Sequence, residues 1–288
     1  MSSSSPSPSS STVARWEFAR RLRVRRQELE LGIDVVAKHL GFSRNFFSAV
    51  ENERSMLAAD KLNPLYDLLE FDASDRDELT ALNQAARNRN WWESRSVTDL
   101  VGEAGSRFLG LEQGASSIRT YDSLVIPGLL QLPDYLLTVM KSDPFVSQIE
   151  LEGAIKLRQR RQNSLQDSGI PITALVSEAA FRQRWGNPDL HRRQLEHVVE
   201  SAGPGENFEL RILTFDDAPG VLAGSSTLAF LTFESEHLSD ICYQEAIRDV
   251  GILEEGNPQF QRLRIVYEDV LSRARSHDES LEMIQEFL

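Results

Sequence analysis

At 288 residues, with 41% hydrophobic and 26% charged side chains, the chain has room for a small module and a second domain with its own core. No run approaches the ~20 apolar residues that span a bilayer, and the start lacks a basic-then-apolar leader, so the sequence reads as cytoplasmic with no membrane contact. A net charge of −13 argues against nucleic acid until it is mapped: residues 13–56 hold nine Lys or Arg against six Asp or Glu, a net +3 that leaves −16 for the rest.

Residues 2–12 are Ser, Pro and one Thr, too poor in apolar area to offset ordering entropy, and predict a disordered tail over 1–14. From Trp16 the pattern turns helical, with Phe18, Leu22 and Leu29 on one stripe and Arg20, Arg21, Arg23 and Arg26 largely off it. Leu62, Leu65, Tyr66 and Leu69 predict a further helix, and Ser74 with Asp77 reads as a capping box ahead of Leu79, Leu82 and Ala86. The polar run 87–90 before Trp91 and Trp92 sets a boundary, giving an all-helical domain over 15–90 and a second domain over 91–288.

The second domain mixes element types. Helices are expected at 129–141, 148–165, 189–202, 258–275 and 278–287, the fourth opened by Asn257 and Pro258. Strands are expected at 118–126, 171–177, 208–215, 227–234 and 240–246, with a parallel strand–helix–strand unit over 171–215. The fold class is therefore α+β: an all-α N-terminal domain followed by a mixed α/β domain with one small mixed sheet.

Within the first domain, between the helix from Trp16 and the helix at Leu62, lies a helix-turn-helix pattern. Val36 and Leu40 give the first helix an apolar face, Ala37 permits close approach, Gly41 suits a left-handed turn, Phe42 plugs the turn, and Ser43 caps a second helix whose Phe47 and Val50 face inward. That leaves Arg44, Asn45, Ser48, Ala49 and Asn52 outward on a recognition helix over about 44–52. Arg matches the guanine O6 and N7 acceptors, Asn matches adenine N6 and N7, and Ala fits the thymine methyl. Arg23, Arg26, Lys38, Ser43 and Arg54 suit phosphate contacts.

Residues 15–72 resemble the phage-repressor-like XRE family, which implies binding to an inverted repeat in double-stranded DNA as a homodimer. Two positions depart from that pattern: Ile33 stands where a phosphate-touching Gln is common, and Glu53 where a Gly often follows the recognition helix. From Trp91 onward the chain resembles the effector domain of Scr-type, antitoxin-like XRE regulators of actinobacteria. The likeness rests on Trp91 and Trp92, on Leu111, Glu112, Ala115, Ser116 and Ile118-Arg119-Thr120-Tyr121, on Ile126-Pro127-Gly128-Leu129-Leu130-Gln131 with Asp134 and Tyr135, and on Arg158, Arg161 and Gln162. Glu178 to Phe181, Pro219 and Gly220 extend it. That resemblance implies a small partner protein encoded nearby, and with it the alternative of an antitoxin-like module that sequesters this partner.

Trp91, Trp92, Glu112, Arg119, Tyr121, Gln131 and Tyr135 are the candidate ligand or partner surface, set against a plainer reading in which Glu112 pairs with Arg119 and the aromatics are core. Lys156, Arg158, Arg160 and Arg161 form a second basic cluster that could hold an acidic partner or a phosphate, set against the preferred reading of solvated side chains paired with nearby acids. The five histidines are scattered, and Cys242 lies in an apolar run as a small hydrophobe. Asp216 and Asp217 read as a turn before Pro219 and Gly220, and Gly203-Pro204-Gly205 as a loop. With no phosphate-cradling Gly loop or nucleophile elbow, the expectation is no enzyme, no metal and no cofactor.

Overall fold

A computed structural model describes residues 10–203, 205–217, 222, 227–246 and 249–288. The chain divides into two compact units, Met1–Ser94 with Ser235–Leu238 and Arg95–Glu234 with Ser239–Leu288. The expected loop residue Pro204, the turn at Pro219 and Gly220, and residues 1–9 of the expected tail lie outside the described residues.

The first unit is helical: α1 (Ser11–Glu28), α2 (Ile33–Leu40), α3 (Arg44–Glu51), α4 (Leu62–Leu68) and α5 (Ala73–Ala85), with short 3-10 turns at Ala59–Lys61 and Trp91–Glu93. Each helix turns an apolar stripe inward. Phe18 and Leu22, Val36 and Leu40, Phe47 and Val50, Leu65 and Tyr66, and Leu79 and Leu82 make one core, each large side chain contributing roughly 1.5–3 kcal/mol on burial.

The expected tail ends earlier than its composition predicts. Ser10 caps α1 by accepting from the Val13 amide, and Ser10, Ser11 and Thr12 are buried. Trp92 Nε1 donates to Thr12 Oγ1 at 3.0 Å, Asn90 Nδ2 donates to Ser11 Oγ at 2.8 Å, and Arg15 pairs with Glu93 at 3.0 Å. Short hydroxyl side chains order a segment through caps and remote hydrogen bonds, which a count of apolar area overlooks. The same contacts place Trp91 and Trp92 in the first unit, so the boundary falls after Ser94 rather than after Asn90.

The second unit runs α6 (Arg95–Glu112, interrupted at Gly102 with φ 72°), β1 (Ser117–Asp122), α7 (Pro133–Met140), α8 (Gln148–Ser168), β2 (Ile172–Ser177), α9 (Glu178–Arg182), α10 (Pro188–Ser201) and β3 (Phe208–Leu213). It continues with β4 (Thr227–Thr232), β5 (Ile241–Ala246), β6 (Asp249–Glu254), α11 (Pro258–Arg273) and α12 (His277–Glu286). The strands form one six-stranded mixed sheet in the order β3-β2-β1-β4-β5-β6, the first three parallel and the rest antiparallel in turn. The expected mixed sheet and its five strands are present. β1 is shorter than the expected 118–126, and the helix expected from 129 begins at Pro133 after a 3-10 turn at Gly128–Leu130.

β6, α6 and α9 were not expected. Gly102, Gly105 and Gly110 dilute the helical signal of α6, and Gly251 weakens the strand signal of β6. Period-two alternation sends Ala174, Val176, Leu210 and Ile212 to one face, against Leu195 and Val198 of α10 and Ile284 of α12. Tyr121, Leu175, Phe230 and Cys242 go to the other, against Phe260, Tyr267 and Val270 of α11.

Candidate functional site

Two short helices meet at a fixed turn in the first unit. α2 ends on Gly41 at φ 75°, whose left-handed backbone lets the Phe42 amide reach back to Ala37 O at 2.8 Å. Ser43 then caps α3 by accepting from the Phe46 amide at 3.2 Å. Val36, Ala37, Leu40, Phe47 and Val50 are buried, as the sequence pattern predicts. Phe42 is half-buried against Phe46, with ring centroids 4.3 Å apart, and Lys61 lies over its ring at 5.5 Å.

The outward face of α3 carries the predicted base readers, unequally free. Arg44 and Asn45 are exposed in its first turn, Arg44 reaching Asp34 only at 3.7 Å across open solvent. Ala49 is half-exposed on the next turn. Asn52 and Ser48 instead engage one another: Asn52 Nδ2 donates to Ser48 O at 2.7 Å and to Ser48 Oγ at 3.3 Å, while Asn52 Oδ1 accepts from Arg23. Lys38, Ser43 and Arg54 are exposed around this face.

Arg26 is no phosphate contact. Its guanidinium is buried in a bidentate pair with Glu51, Nε to Oε1 at 2.6 Å and Nη2 to Oε2 at 2.9 Å, and these hydrogen bonds raise its pKa against the cost of burial. Arg23 is likewise turned inward, donating to the backbone oxygen of Glu51. Two further α1 arginines act in the same way. Arg21 pairs with Asp75 and Glu78 of α5, and Arg25 donates to Leu69 O at 2.9 Å and Glu70 O at 3.3 Å at the end of α4. The arginine-rich helix therefore clamps α3, α4 and α5. Glu51, which sequence reasoning passed over, carries a legible signal: it continues the inward row of Phe47 and Val50, a position where a carboxylate requires a buried cation.

In the second unit the predicted surface does not assemble. Glu112 is fully buried and bidentate with Arg161, at 2.7 and 2.6 Å, while Arg119 pairs with Glu268, so the expected Glu112–Arg119 pair is not formed. Tyr121 and Tyr135 are core, Tyr135 Oη accepting from the Ile126 amide at 3.4 Å and pushed up to about 12 by burial. Gln131 is buried and donates to Ile126 O at 2.7 Å. Alternation explains the scatter: Arg119 and Tyr121 point to the opposite face of β1 from the one that meets Glu112.

What does converge is the basic cluster read as solvated. Lys156 and Arg160 are exposed, but Arg158 and Arg161 turn inward. Gln162 donates to Gly128 O at 3.1 Å and Gln131 O at 2.9 Å, and Gln194 donates to Leu130 O at 2.7 Å, so glutamines satisfy the irregular backbone of 126–131. The Arg158 guanidinium lies directly on Gly128, where an added Cβ would fall 1.2 Å from its Nη1. Burial lowers Arg158 to about 10, whereas Glu112 holds Arg161 above its ordinary value despite burial. Asp122, at the end of β1, accepts from Thr227 Oγ1 at 2.9 Å, and burial pushes its carboxyl up to about 7.

Among the described residues no group of three or more His, Cys, Asp or Glu is arranged to hold a metal ion, and burial pushes the Cys242 thiol up to about 12. No described helix is long and apolar enough to cross a membrane. Residues 17–79 match a family described as a helix-turn-helix domain, which supports a DNA-binding regulator with DNA as a partner. Residues 106–286 match a family described as a domain of unknown function, DUF5753. No curated protein matches the chain. No solved structure matches it.

Proposed function

The chain belongs to the DUF5753 family, and from that premise and the geometry of the first unit we propose a sequence-specific transcriptional regulator that places α3 in the major groove. One observation carries the reading: α3 is clamped from behind by Arg23 and Arg26, while Arg44 and Asn45, side chains suited to guanine and adenine edges, stand exposed at its first turn. Lys38, Ser43 and Arg54 surround this face and serve phosphates. As in the XRE regulators that residues 15–72 resemble, the chain acts as a homodimer on an inverted repeat, the second unit supplying dimerisation and signal sensing. The reading assigns the chain to the cytoplasm, with no catalytic step and no cofactor.

The test is selection of bound sequences from a random DNA pool by the full chain, followed by footprinting. A protected inverted repeat with half-sites about one helical turn apart supports the reading. Uniform, sequence-independent retention overturns it.

The alternative, capture of a small partner protein as in the antitoxin-like regulators, is favoured by one observation. Phe145 and Ile149, four residues apart at the entry to α8, are 88% and 83% exposed. Phe145→Ser with Ile149→Ser abolishes binding of a partner encoded beside the gene if that reading holds, and leaves it unchanged if it does not.

A further inference from the structure

The face of the sheet toward α8 carries an arrangement that the fold does not require. Asp122 lies opposite Thr227, and Thr227 opposite Glu245, so the three share one cross-strand row on β1, β4 and β5. Thr120, two positions before Asp122, is on the same face, and its buried hydroxyl has no hydrogen-bond partner among the described residues. From α8, Arg158 and Arg161 act electrostatically on Asp122. Arg161 is neutralised by Glu112 on α6. Arg158 makes no hydrogen bond or ion pair among the described residues, although Gly128 seats its guanidinium and the side chain is only half-buried. Glu245, at the β5 end of the row, is exposed.

Five guanidinium donors and a buried hydroxyl without partners mark a place where a polar molecule completes the bonding. Charge selects its class. A dianion such as phosphate on Arg158 would also face Asp122 and Glu245, and a plain cation on Asp122 would face Arg158. A molecule bearing both charges meets neither repulsion.

We propose that the second unit binds a small zwitterion of the amino-acid type on this face, its carboxylate taken by the Arg158 guanidinium and its ammonium group set toward Asp122 and Thr120. This rests on the signal-sensing part of the proposed function and names the class of signal. Gly128 is then the residue that admits the arginine, since any side chain there would displace it.

The experiment uses the full-length protein without DNA, so that its outcome is separate from that of the DNA-binding test. The twenty amino acids, inorganic phosphate, acetate and propylamine are screened by thermal shift at millimolar concentration, and hits are titrated calorimetrically. The expected result is a saturable shift with one or a few amino acids and none with phosphate, acetate or propylamine. Arg158→Gln and Asp122→Asn each weaken that binding about tenfold or more. Deaminated and decarboxylated analogues of the bound amino acid, tried on the unaltered protein, fail to bind, a result independent of how either variant folds. Below about pH 7, binding releases a proton as the ammonium group drives Asp122 to ionise among Thr227, Glu245, Glu112, Arg158 and Arg161, which calorimetry in two buffers detects. No binding by any amino acid, equal binding by phosphate or by an analogue lacking one charge, or binding untouched by both substitutions overturns the proposal.

Discussion

Each unit holds a buried arginine–glutamate pair of the same bidentate kind, Arg26 with Glu51 in the first and Arg161 with Glu112 in the second. The surroundings of the two pairs differ. Beside Arg26, the neighbouring arginines of α1 are each committed to another helix: Arg21 to α5, Arg23 to α3, Arg25 to α4. Beside Arg161, Arg158 sits one helical turn away with no hydrogen bond or ion pair among the described residues. In the first unit, interior polarity is scaffolding, and the proposed recognition falls to exposed side chains. In the second, interior polarity exceeds what the scaffold needs, and the excess lies where Gly128 seats the Arg158 guanidinium of α8.

The largest test of this contrast removes one partner of the first pair. Glu51→Ala leaves Arg26 buried and unpaired and is expected to cost about 3–5 kcal/mol in urea unfolding of the first unit, whereas Arg26→Met with Glu51→Leu comes close to neutral. If Glu51→Ala proved as mild as a surface substitution, the clamp would not hold α3.

In the second unit the comparison is sharpened by pH. The folded Asp122 carboxyl titrates at about 7, above its ordinary 3.8, so the folded protein keeps a proton that the unfolded chain has lost. Stability from this group is therefore complete below about pH 4, falls as pH rises through 7, and is flat above, an upper bound of about 4 kcal/mol. Asp122→Asn, able to accept from Thr227 in the same way, removes this slope. Parallel pH profiles for the two proteins would mean that the carboxyl titrates normally.

At the proposed DNA face, Arg44→Ala is expected to cost about 1–3 kcal/mol against the selected operator and to relax preference at one base pair. Arg54→Ala weakens all DNA alike and makes the salt dependence shallower by about one unit. A gel-shift titration at two salt concentrations separates the two effects. Equal behaviour of both variants would remove Arg44 from base readout.

The smallest effects concern helix ends. α1, α3 and α4 each close with a glutamate in the left-handed conformation, Glu30, Glu53 and Glu70, at φ 52°, 64° and 54°. The amides of Leu31, Arg54 and Phe71 return to Arg26, Ala49 and Tyr66 at 3.0, 2.8 and 3.1 Å. Glycine adopts this conformation without strain, so Glu30→Gly and Glu70→Gly should each raise stability by up to about 1 kcal/mol in thermal unfolding. A loss instead would show that the glutamate side chains contribute more than the backbone strain costs.

Much of the fold was legible in the sequence. The Val36 to Val50 pattern predicts two helices and the turn at Gly41 because apolar spacing, a left-handed glycine and a serine cap are all local signals. Five strands were legible from their β-branched and aromatic runs, while α6 was hidden by its three glycines. At the candidate site, Arg44 and Asn45 were readable because an exposed position is whatever the apolar stripe leaves over. Arg26 was misread because helical periodicity tells which face a residue is on, not whether another helix covers it.

Local periodicity, caps and turn residues were enough to specify the helix-turn-helix, five of the six strands and the mixed character of the second domain. Only the tertiary structure decided the partners of the charges: Arg26 with Glu51 across 25 residues, Arg161 with Glu112 across 49, and Arg158 laid on Gly128. A charge's partner is chosen by how desolvated it becomes and by what the packing of distant segments brings within hydrogen-bond reach, and neither is encoded in spacing along the chain.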